Sequence, residues 1–70
     1  MMPLIFAGIG ETSVIKRLSG SPEVKKHLEH LGFVVGSEVT ILNSIDGNTI
    51  VKVKEARIAV SREMAQKIMI

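Results

Sequence analysis

The stretch HLEHLGFVVGSEV, His27 to Val39, decides how the rest of this chain is read. Its first half closes a helix that opens upstream in Ser19-Gly20-Ser21-Pro22. Ser21 is placed to cap, Pro22 suits the first helical position, and Glu23 sits at the positive end of the helix dipole. Val24, Leu28 and Leu31 then fall at i, i+4 and i+7 as one apolar stripe, and Gly32 suits the left-handed residue that ends a helix. The spacing predicts a helix from about Pro22 to Leu31. Beyond it Phe33 is placed to seal the joint with the strands, and Gly36 lets the backbone enter the next one. On this reading Leu28, Leu31, Gly32, Phe33 and Gly36 are structural residues.

Short strands are expected on both sides. Upstream, Val14, Ile15 and Leu18 within Thr12 to Leu18 fit a strand with a bend or bulge near Arg17. Downstream, Val39 and Ile41 alternate with Glu38, Thr40 and Leu42 in Ser37 to Asn43, and Val51 and Val53 with Ile50, Lys52 and Lys54 in Thr49 to Lys54. Asp46-Gly47-Asn48 between them is a turn signal, so the two runs make a hairpin. Arg57 to Val60 reads as a third strand with Ile58 and Val60 inward. Ser61 caps a helical turn over about 62–67, and Ile68-Met69-Ile70 forms a last strand. The sum is a mainly β chain of about five strands with one inserted helix. Pairing the last strand with the first would close it into a small barrel and remove exposed edges.

Composition limits what such a barrel does. With 70 residues the chain is expected to form one domain, residues 1–70, and with no cysteine it has neither disulfides nor thiolate chemistry. Hydrophobic residues make up 46% of the chain and Phe6 and Phe33 are the only aromatics, so the core is aliphatic. The net charge of +2 is a weak electrostatic footprint. No apolar run approaches the roughly 18 residues of a membrane span, and the N-terminus lacks a signal-peptide pattern, so a cytoplasmic protein is expected.

The residues Pro3-Leu4, Gly10-Glu11, Ile15, Leu18, Leu28, Leu31-Gly32-Phe33, Gly36, Val39, Gly47, Val53, Ile58, Ala65, Ile68 and Ile70 resemble the FeoA family of bacterial ferrous iron transport. The most specific part is Leu-x-x-Leu-Gly-Phe-x-x-Gly before a strand, supported by a terminal Ala-x-x-Ile-x-Ile. The resemblance implies an SH3-like barrel that works with FeoB, the membrane protein whose cytoplasmic GTPase domain serves Fe²⁺ import. It also implies kinship with the C-terminal module of metal-dependent repressors, of which this chain would be a free-standing relative. Ile5, Phe6 and Ile9 make the N-terminal segment more apolar than the common family pattern. Glu55 stands where a glycine is usual, and Ser61 where an arginine is common.

Candidate site residues fall into two groups. Glu23, His27 and His30 share one flank of the predicted helix and are the candidate metal ligands. The geometry allows two ligands or three, but one exposed flank supplies no shell of supporting hydrogen bonds to orient them as a tight site requires, so no metal and no cofactor is expected. Ile5, Phe6, Ile9 and Ile45 are apolar where little core can be built, which marks a partner surface. There is no Gly-x-Ser-x-Gly elbow and no complete phosphate loop, so an enzyme is not expected. The two remaining classes are a docking protein acting on FeoB and an RNA-binding barrel. The second needs a basic face with stacking aromatics, and two phenylalanines with scattered charge do not provide it.

Overall fold

The helix expected from the opening stretch is present as α1, Pro22–Leu31, in a computed structural model that describes residues 1–70. Ser21 Oγ accepts the Val24 N–H at 3.2 Å, and Gly32 ends the helix with φ of 109°. The Gly32 N–H donates to the Glu29 carbonyl at 3.0 Å and the Phe33 N–H to the Leu28 carbonyl at 2.9 Å, the two bonds of a Schellman motif. Leu28 is fully buried, while Val24 and Leu31 are half-buried against the same core.

Six strands surround it: β1 (Thr12–Val14), β2 (Arg17–Leu18), β3 (Glu38–Ile45), β4 (Asn48–Val53), β5 (Ala56–Val60) and β6 (Ile68–Met69). They form a four-stranded sheet in the order β1-β3-β4-β5 and a two-stranded one of β2 and β6. A 3-10 turn at Leu4–Phe6 precedes them, and a short helix α2, Arg62–Ala65, lies between β5 and β6.

The count exceeds the expected five because the first strand is divided, and the break at Ile15-Lys16 lies next to Arg17, where a bend is expected. Ile15 donates its N–H to the Ser37 carbonyl at 2.9 Å and accepts the Gly36 N–H at 2.8 Å, whereas Lys16 donates to the Met69 carbonyl at 2.8 Å. The chain leaves one sheet and joins the other within two residues. Arg17 then pairs with Met69 and Leu18 with Ile68, so the last strand does meet the first. Met2 and Ile70 exchange backbone bonds of 2.9 and 2.8 Å on the other side of β6.

Closure nevertheless stops short of removing every edge. β5 pairs with β4 alone, because the chain turns at Ser61 into α2 and brings β6 to β2 and the N-terminal segment instead. Ser61 Oγ caps that helix by accepting the Met64 N–H at 3.2 Å. The helix itself ends at Ala65, two residues before the predicted end of the helical turn.

Hairpin geometry follows from local chemistry. Asp46 and Gly47 both have positive φ, 50° and 81°, between the paired residues Ile45 and Asn48. Such a two-residue turn matches the twist of the strands it joins. In the β4–β5 turn it is Lys54, at φ of 55°, and not Glu55 that takes the left-handed conformation. One irregularity matters for function: the β3–β4 register shifts between Ile41 and Asn43, leaving Leu42 as a bulge.

Thirteen buried residues form one core, and all are apolar. The expected Ile15, Leu18, Val39, Ile41, Val51, Val53, Val60 and Ile68 are among them. Ile58 is not: it points inward but is only half-buried, as befits an edge strand with no neighbour on its outer side. Leu4, Leu28, Phe33, Ala65 and Ile70 complete the core.

Candidate functional site

The candidate metal ligands lie as the helical period places them, on α1, and Glu23, His27 and His30 are all exposed. The chain contains no group of three or more His, Cys, Asp or Glu residues arranged to hold an ion.

The apolar candidates divide between two faces. Leu4 is buried and fixes the 3-10 turn, whose closing bond runs from the Ala7 N–H to the Leu4 carbonyl at 2.9 Å. The anchor holds Ile5 half-buried against the core and leaves Phe6 68% exposed. Ile5 and Phe6 share a shallow groove with Ser44, Gly47, Thr49 and Arg62, so the N-terminal turn and the β3–β4 hairpin tip form one surface. Ile9, three residues further on, is 67% exposed.

Ile45 is 52% exposed but belongs to the other side. Residues directly opposite on neighbouring strands share a face. Before the bulge Ile41 faces Val51 on the buried side; after it Asn43 pairs with Ile50 and Ser44 with Thr49. The extra residue therefore reverses the alternation. Ser44 and Thr49 turn toward the groove, and Ile45 turns to the outer face with Asn43 and Ile50. A partner seated on Phe6 reaches Ile45 only by wrapping the hairpin tip. The bulge is the reason the sequence groups these residues and the structure separates them.

Other surface features escape a reading of the sequence. Val14 is exposed and lies beside Met1, Met2, Lys16 and Ile70 around a second shallow groove. Adjacent strand residues point to opposite faces, so the burial of Ile15 already implied an outward Val14. On the outer face of the large sheet Thr12, Thr40, Lys52 and Arg57 stand in one cross-strand row. The Thr12 and Thr40 hydroxyls meet at 2.8 Å. Strand register creates that row, and no local motif announces it.

Two antiparallel sheets with a helix inserted between the second and third strands define a small SH3-like barrel that leaves apolar side chains exposed around the 3-10 turn. The chain belongs to the FeoA domain family, which matches residues 2–70. It is similar to a protein of Methanocaldococcus jannaschii named for Fe(2+) transport, with 31% identity over the whole of this chain and 85% of that one. Its fold is that of a zinc-bound FeoA from Stenotrophomonas maltophilia described as a prokaryotic SH3 domain protein, with TM-score 0.85 and 21% identity over 99% of this chain and 88% of that one. A manganese-dependent transcriptional repressor contains the same fold, with TM-score 0.83 and 22% identity over 94% of this chain but only 38% of the repressor. No helix of the chain is long and apolar enough to cross a membrane.

Proposed function

We propose that this protein is an accessory subunit of ferrous iron import that docks on the cytoplasmic part of FeoB and biases its conformations. Membership of the FeoA family supports the pathway. The observation that carries the docking reading is Phe6: an aromatic ring held out from the surface by a buried Leu4, beside Ile5 and Arg62 at the edge of a groove. Aromatic and arginine side chains together are the composition of binding hot spots, and a large exposed ring on a fixed turn gains by desolvation without much loss of freedom. The subunit acts by binding one state of the transporter better than another, since a partner shifts an equilibrium only by its differential affinity. It works in the cytoplasm, where the GTPase domain lies, and carries out no chemistry of its own. Fe²⁺ is the cargo of the transporter in this scheme and does not reside on Glu23, His27 or His30.

Phe33 is fully buried, which leaves Phe6 as the one exposed aromatic and removes the stacking platform that an RNA-binding barrel needs. The test is FeoB-dependent iron uptake by cells carrying Phe6→Ser beside urea unfolding of the purified variant. Reduced uptake with unchanged stability supports docking at Phe6. Wild-type uptake with unchanged stability removes Phe6 from the site.

A further inference from the structure

The strand β5 is an open edge, and its hydrogen-bonding groups are aimed outward at known positions. Val53 and Ala56 flank the two-residue turn of the β4–β5 hairpin. Such a closing pair exchanges both of its backbone bonds, and hydrogen-bonded pairs then alternate along an antiparallel ladder. Val51–Ile58 and Thr49–Val60 are therefore hydrogen-bonded, while Lys52–Arg57 and Ile50–Ala59 are not. The N–H and C=O of Arg57 and of Ala59 thus point away from β4. None of the backbone bonds made outside helices and strand pairs involves residues 54–60, and both Arg57 and Ala59 are exposed.

Charge singles out the same strand. Between Lys52 and Val60 the sequence has three basic residues, Lys52, Lys54 and Arg57, and one acidic residue, Glu55. The rest of the chain has six basic and six acidic residues, so the net charge of the sequence falls in this stretch, with Glu38 of β3 as the one further acidic residue beside Lys52 and Lys54 on the outer face. Arg57 and Lys52 stand side by side on the outer face, and Ile58 is left half-buried on the inner one.

We propose that β5 receives an extended acidic segment of a partner protein, added as a further strand of the sheet. Its main chain pairs with the outward groups of Arg57 and Ala59. Its outer-face carboxylates lie beside Arg57 and Lys52, and an apolar residue between them covers Ile58. Main-chain pairing supplies affinity, and the alternation of acidic and apolar side chains supplies selectivity. The same Arg57 at the centre of the edge disfavours indiscriminate pairing of copies, a common protection of exposed strands. This surface is distinct from the Phe6 groove, and the proposal does not depend on the transporter reading.

The test uses the full chain, labelled with ¹⁵N, titrated with an end-capped peptide of alternating glutamate and valine. The expected result is saturable binding in which the Arg57 and Ala59 amides shift and become protected from hydrogen exchange. A peptide N-methylated at alternate amides, which lacks the donors facing β5, should lose binding. Arg57→Glu, an exposed substitution whose spectrum reports folding directly, should weaken binding by about tenfold at low salt. No saturable shift at β5, shifts confined to the Phe6 groove, or equal binding by Arg57→Glu would overturn the proposal. Concentration-dependent shifts of the β5 amides without peptide would also overturn it, by assigning the edge to a second copy of this chain.

Discussion

Phe33 and Leu28 are tied together twice: the Phe33 N–H donates to the Leu28 carbonyl at 2.9 Å, and both side chains are fully buried in the one core. The backbone bond is half of the motif that ends α1, and the burial fastens that end to the barrel. A stretch that raises the question of metal binding through its histidines is, at its leucine and phenylalanine, the hinge between helix and sheet.

Leu28→Ala should therefore cost about 2–5 kcal/mol, the range for truncating a buried leucine. In a domain this small that is a large share of the total stability. Urea unfolding of the purified variant measures it, and any loss of partner binding in Leu28→Ala is then a consequence of unfolding.

Gly32→Ala separates conformational strain from steric clash. A Cβ at position 32 would lie 3.5 Å from Val53 Cγ1, an ordinary contact, whereas φ of 109° is one that L-residues avoid. The expected loss is about 1–3 kcal/mol from backbone strain alone. Lys54→Gly runs the other way, because Lys54 already has φ of 55°. It should be neutral or stabilising by up to about 1 kcal/mol as left-handed strain is released against the greater freedom of unfolded glycine.

The parts of this structure legible in the sequence are those decided by neighbours along the chain. The Ser21 cap, the Gly32 stop and the Asp46-Gly47 turn each rest on a few adjacent residues, and each is where the residues imply. The parts that were not legible depend on which strands meet. A bend near Arg17 is legible, but that the chain changes sheets there is not, because it depends on Ile15 pairing with the segment before β3 and Lys16 with β6. The bulge at Leu42 reverses the side on which Ile45 emerges, and the half-burial of Ile58 follows from β5 lacking a neighbour. Of the candidate partner surface, Ile5 and Phe6 share a groove as a short apolar segment suggests, while Ile45 lies on the other face.

Calorimetric titration with Fe²⁺ or Zn²⁺ should detect no stoichiometric sub-micromolar site, since Glu23, His27 and His30 are exposed and are not arranged as a group able to hold an ion. His27→Ala should remove at most part of a weak, non-stoichiometric heat. A tight site abolished by that substitution would restore the metal reading of the helix flank.

Phe6→Ser and Ile45→Ser should each stay within about half a kcal/mol of the wild type in urea unfolding, as surface substitutions do. A loss of several kcal/mol in either would show that its side chain contributes to the core.

The central claim, docking through the Phe6 groove, is tested most directly by titrating the isolated cytoplasmic part of FeoB with the wild-type protein and with Phe6→Ser and Ile45→Ser. The account predicts saturable binding of the wild type, at least about tenfold weaker binding of Phe6→Ser as for a hot-spot residue, and a smaller effect of Ile45→Ser on the opposite face. Equal binding by wild type and Phe6→Ser, or no binding by the folded wild type, would contradict it.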